Sequence, residues 1–229
     1  MTGWPRAATF VTTNEGDAMH TGSTRTASSA CGAGAIILAV GGVATQIVQA
    51  STTVSDQVWS YPWSSATSIP ITLLWAFGQA LLVVGVLGLR RSGAAGPSRA
   101  ARVGLAMAVV GTSLVIVGHI ASIPVRDDSI HAIGPEIAGS IYGLATVVSA
   151  VGFLLAGRAT IRAGVWGDWQ RFTPLAAGLA CLALLGLQFT KVLPTAVTIY
   201  AICFLAISLA LRGSSGQVPT PAASAPSGR

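Results

Sequence analysis

Charge is what this sequence has least of. Only 9% of its 229 residues are charged, with seven acids in all and a single lysine, Lys191. A soluble domain carries about 25% charged residues, so an ordinary water-facing surface is beyond this chain. Cysteine is almost as scarce. Three cysteines, none in a Cys-x-x-Cys pair, exclude a disulfide scaffold and a zinc ribbon. Catalytic signatures are missing too. The lysine follows no glycine-rich loop, and neither His-Glu-x-x-His nor Gly-x-Ser-x-Gly occurs, which removes the usual equipment for nucleotide hydrolysis, zinc hydrolysis and serine nucleophiles. No acid falls in the middle of an apolar run, so transport coupled to a buried carboxylate is disfavoured.

What the chain has instead is apolar length. Hydrophobic residues make up 52% of it. Runs able to cross a hydrocarbon core, about 20 residues each, fall at roughly 31–51, 70–89, 103–124, 135–157, 173–189 and 193–211. They leave no room for a soluble catalytic domain. The expected fold is all-α, a polytopic membrane helix bundle with six transmembrane helices over 31–212. Tails over 1–30 and 213–229, rich in Ser, Thr, Gly, Ala and Pro, are expected to be disordered.

A net charge of +6 would suit nucleic acid, but its distribution points elsewhere. Arg6, Arg25, Arg90, Arg91, Arg99, Arg102, Arg158, Arg162, Arg171, Arg212 and Arg229 lie on one side of the six runs, and only Arg126 and Lys191 lie on the other. Positive residues accumulate on the cytoplasmic face. Both termini are therefore expected in the cytoplasm.

Small residues indicate helix contacts. Gly104, Gly111 and Gly118 recur every seven positions on the third run, and Gly143, Ala150 and Gly157 form a similar row on the fourth, so these two are expected to pack closely. Proline marks helix starts: Pro70 is expected in the first turn of the second helix and Pro135 in that of the fourth, with Glu136 facing the positive end of the dipole. Trp59, Tyr61 and Trp63 read as an aromatic belt at the outer surface. An echo also stands out, Ala50-Ser51-x-x-Val54-x-Asp56 against Ala121-Ser122-x-x-Val125-x-Asp127, 71 positions apart.

The most charged interval between two apolar runs is His119 to Glu136. Asp127 and His131 would suit a metal if that segment were helical, but Arg126 beside Asp127 and Asp128 reads better as a solvated loop, so no metal or cofactor is implied. Polar side chains at membrane depth are candidates for function. Gln46, Gln49, His119, Arg126, Tyr142, Gln188 and Tyr200 fall in or near the outer half of the bundle, with Gln79 deeper. Pointing inward, they would make an outward-opening polar pocket; pointing at neighbouring helices, they would be hydrogen-bond glue. Were the protein an enzyme on an isoprenoid or lipid, Asp56, Asp127, Asp128 and Glu136 would have to supply its acid chemistry. The partners this implies are membrane lipid, a small-molecule or isoprenoid ligand, or a membrane subunit, and no nucleic acid.

Ser55-Asp56, Gly88-Leu-Arg-Arg91, the stretch from Pro124-x-x-Asp127 to His131, and Arg162-Ala-Gly-Val-Trp166 together resemble a family of six-helix bacterial membrane proteins of unknown function, over about residues 31–212. The resemblance implies this topology and a bacterial inner membrane, and brings no catalytic residue with it. Twelve arginines to one lysine, with abundant Ala and Gly, suit a high-GC bacterial source.

Overall fold

In a computed structural model, residues 15–188 and 190–214 are described, with side chains for 24–188 and 190–213. Six helices account for most of them: α1 (Glu15–Gln49), α2 (Ser65–Arg91), α3 (Arg99–Ser122), α4 (Ile133–Ala163), α5 (Thr173–Leu187) and α6 (Leu193–Ser214). A single 3-10 turn, Gln170–Phe172, leads into α5. Each of the six, α5 together with the 3-10 turn before it, forms a segment long and apolar enough to cross a membrane.

Burial is distributed as a membrane solvent requires. Large apolar side chains lie on the outside, among them Val40, Ile47, Val110, Val117, Leu144, Ile202 and Leu209, while Ser28, Gln79, Thr112, His119, Ser149, Thr160 and Ser208 are buried. Exposed apolar surface on this scale would not persist in water. The arrangement points to a multi-pass membrane protein.

The helices form a closed ring. Each packs on its sequence neighbours, α1 closes on α6, and α2 reaches α6 across the middle. The centre is filled, with Phe153 of α4 edge-on to Phe204 of α6 at 5.4 Å between ring centroids and Tyr200 against Phe204 at 4.8 Å.

The most extensive contact is between α3 and α4, as the glycine row on α3 leads one to expect. A β-carbon added at Gly104 would lie 2.7 Å from the Ala156 backbone nitrogen; Gly111 lies against Ser149 and Ala145, and Gly118 against the Tyr142 ring. The α4 side of this seam is different from the expected row. It consists of Tyr142, Ala145, Ser149, Gly152 and Ala156, whereas Gly157 faces Leu175 of α5 and the nearest atom to Gly143 is the Gln188 side-chain oxygen. With apolar residues all round α4, its sequence pattern carries no sign of which face meets which neighbour.

Helix starts also differ in part from expectation. The side chain of Ser64 accepts from the Thr67 N–H and caps α2, so the helix begins five residues before Pro70 and the proline lies inside it. The cap satisfies a donor that proline would merely lack. Pro135 and Glu136 do occupy the first turn of α4. At the amino end, α1 is helical from Glu15, so residues 15–30 of the expected disordered tail belong to the helix. Contacts with two helices accompany it: Ala27 is buried beside Gly88 of α2, Ser28 is buried on Ser208 of α6, and Cys31 donates to the Phe204 carbonyl at 3.4 Å. Residues 1–14 and 215–229 of the expected tails lie outside the described residues.

Candidate functional site

The two loops that carry the sequence echo pair with each other. Val58 stands opposite Ser129 in an antiparallel bridge, and these two residues are themselves 71 positions apart. Three backbone bonds hold the pair: Trp59 N–H to the Asp128 carbonyl (3.0 Å), Ser60 N–H to that of Arg126 (3.0 Å) and Ile130 N–H to that of Gln57 (2.9 Å). The α1–α2 loop thus reaches over the α3–α4 hairpin, bringing Trp59 to Gly139 of α4. Arg126 braces this cap rather than lining a pocket. Its Nε donates to Ser65 Oγ at 3.0 Å, Nη1 to the Ile123 carbonyl at 3.0 Å, and Nη2 lies 3.4 Å from Asp127.

The other expected pocket residues separate into four groups. Gln79 on α2 is buried and donates to the Thr112 carbonyl of α3 (3.4 Å) and to Tyr200 Oη of α6 (3.2 Å), tying three helices at the centre of the ring. His119 is buried higher up: its Nδ1 shares a 2.8 Å hydrogen bond with Tyr142 Oη, Ser122 Oγ donates to the same phenol at 3.4 Å, and the imidazole stands edge-on to Trp75 of α2. Gln188 donates to the Gly139 carbonyl at 3.3 Å, joining the end of α5 to α4. Each bond joins one element to another, which is the arrangement of interhelical glue.

Gln46 and Gln49 open onto a cleft. Together with Ala50, Tyr61 and Lys191 they line a recess of about 190 Å³ between the end of α1, the α1–α2 loop and the α5–α6 turn. Gln46 Nε2 donates to Gln49 Oε1 at 3.4 Å, and Thr195 of α6 donates to Gln46 Oε1 at 3.2 Å, which holds the first amide with its N–H2 group toward the second. The exposed Lys191 ammonium is 3.8 Å from Asp56. Amide donors, a phenol and an ammonium suit a small polar group carrying negative charge. Tyr61, Lys191 and Thr195 are not among the pocket residues that the sequence indicates. Their positions suit the headgroup level, a turn and a helix start; the α1–α6 contact that brings them together joins the two ends of the sequence.

A second recess, of about 310 Å³, lies on the outer flank of α1 and α2, lined by Ile37, Val40, Gly41, Trp63, Leu74, Trp75 and their apolar neighbours. The four acids line neither recess. Asp127, Asp128 and Glu136 are exposed, Asp56 faces Lys191, and the Asp127–His131 segment is a run of turns rather than a helix. Among the described residues no three His, Cys, Asp or Glu side chains gather as metal ligands would.

The chain matches no protein-family model, no curated protein and no solved structure. Its six apolar helices accordingly carry the identification, which goes as far as a multi-pass helical membrane protein.

Proposed function

We infer that the protein is a non-catalytic component of a bacterial plasma membrane, with both chain termini in the cytoplasm, that binds a small anionic molecule in its external cleft. The arginine asymmetry supports the orientation, and the composition supports the source. The convergence of Gln46, Gln49, Tyr61 and Lys191 on one recess carries the binding reading. The recess is smaller than the 300–1,000 Å³ usual for drug-sized ligands, so a carboxylate or phosphate ester of a few heavy atoms fits its size and donors. Acid catalysis on a lipid draws no support from the acids, which are exposed at scattered places on the cap.

The test is thermal unfolding of the purified protein with a panel of small carboxylates and phosphate esters, repeated on Gln49→Leu and Lys191→Gln. Concentration-dependent stabilisation by a member of the panel, lost in both variants, is expected. Absence of stabilisation across the panel, or its persistence in both variants, would contradict the reading.

A further inference from the structure

The opposite end of the bundle carries a second constellation that the cleft does not involve. Gly104 meets Ala156, Gly111 meets Ser149 and Gly118 meets Tyr142, a constant antiparallel register along α3 and α4. Continued toward the amino end of α3, the register brings Arg102 level with Arg158 and Arg99 beside Arg162. The chain bears out this level one step further on, where a β-carbon on Gly96 would lie 3.0 Å from that of Ala163.

All four arginines are exposed. Neither of the two ion pairs among the described residues involves them, and the first turn of α3 holds no acid. Four like charges within about a helical turn of one level, roughly 5 Å, repel one another most strongly where water is partly excluded. Immediately along the same helices the exposed surface becomes apolar: Val103 and Val110 on α3, Val147 and Val151 on α4. Charged and exposed apolar residues therefore follow one another along the same two helices.

We propose that the Arg99–Arg102–Arg158–Arg162 end of the α3–α4 pair is a binding site for an anionic phospholipid. The guanidinium groups take the phosphate, whose oxygens they match in bidentate geometry, and the valine-lined flank takes the acyl chains. A free phosphate would leave that flank unused, and a zwitterionic lipid would bring its own cation to the arginines. Each basic side chain contributes attraction to an anionic surface that decays within a Debye length, so binding weakens with salt.

The experiment uses the purified full chain in neutral detergent. Phosphatidylglycerol, phosphatidylcholine and inorganic phosphate are titrated separately, with bound lipid counted by native mass spectrometry and the unfolding midpoint followed in parallel. Phosphatidylglycerol is expected to bind and raise the midpoint, and the other two are expected to do neither. The Arg99→Gln/Arg162→Gln variant should bind it about tenfold more weakly or worse, with its midpoint in detergent alone unchanged. The Arg99→Lys/Arg162→Lys variant, which keeps the charge, should retain most of the binding, and Arg171→Gln, at the 3-10 turn, should retain all of it. Equal binding of phosphatidylcholine, an equal effect of inorganic phosphate, or undiminished binding by the glutamine variant would overturn the proposal. Should the glutamine variant fail to fold, single substitutions at Arg102 and Arg158 give the same reading, each weakening phosphatidylglycerol selectively or refuting the site.

Discussion

Ser28 on α1 and Ser208 on α6 hold each other reciprocally: the hydroxyl of each donates to the backbone carbonyl of the other at 2.8 Å. Both are buried, and Arg212 Nε donates to Ser28 Oγ at 3.2 Å. The clamp closes the ring between the first and last helices, 180 residues apart. Bonds of this kind in membranes average about 0.6 kcal/mol, so Ser208→Ala is expected to lower stability by about that much. Gly32→Leu should be worse, because its β-carbon would lie 2.9 Å from Ser208 Oγ and wedge the helices apart. Reversible unfolding in mixed micelles measures both.

The α3–α4 seam makes a sharper contrast. At Gly104 an added β-carbon would meet backbone atoms of α4 at 2.7 and 2.9 Å, whereas at Gly186 nothing lies within 4 Å. Gly104→Val is expected to cost about 2 kcal/mol or more. Gly186→Ala should be near neutral, and the same unfolding assay ranks the pair.

Buried amides and phenols acting as glue have a distinct signature. Tyr142→Phe leaves His119 Nδ1 without its partner while Ser122 Oγ keeps the Gly118 carbonyl, and Tyr200→Phe leaves the Gln79 amide with the Thr112 carbonyl. Each should lower stability by about 1 kcal/mol while leaving any ligand response of the Gln46–Lys191 cleft intact. A loss of ligand response at unchanged stability would instead mark these residues as a site.

The Asp56–Lys191 pair is exposed on both sides, 53% and 77%. Asp56→Asn is therefore expected to change stability by less than about 0.5 kcal/mol. Its effect should fall on anion binding at the cleft, which tightens as the ammonium loses its competing carboxylate. Titration of wild type and variant with the same phosphate ester reads the difference.

The position of the helices along the chain was legible in the sequence, and direction around each helix was not. Apolar length and flanking arginines placed all six spans, because hydrocarbon thickness imposes a number of residues whatever surrounds them. The two faces of a soluble helix differ in polarity, but here lipid and neighbouring helices both accept valine and leucine, so α4 gave no clue that Ser149 rather than Ala150 meets α3. His119, Gln79 and Gln46 share the outer half or middle of the bundle in sequence, yet point to three different partners. The one azimuthal signal was the glycine row of α3, where closeness of approach selects for the smallest side chain. Pairing of the two loops had a faint trace in the 71-residue echo, and the cleft was legible only in Gln46 and Gln49, since Tyr61 and Lys191 join them only when the ring closes.

Threading through the membrane is what everything else rests on, and cysteine labelling tests it most directly. The native cysteines are buried or half-buried. Asp56→Cys on the outer cap and Pro97→Cys in the α2–α3 connection, both at exposed positions, can be probed with a membrane-impermeant maleimide in intact bacterial cells. Labelling at position 56 before lysis, and at position 97 only after it, is the expected result. Labelling of position 97 in intact cells with position 56 protected would invert the bundle, and labelling of both would mean that α2 does not cross.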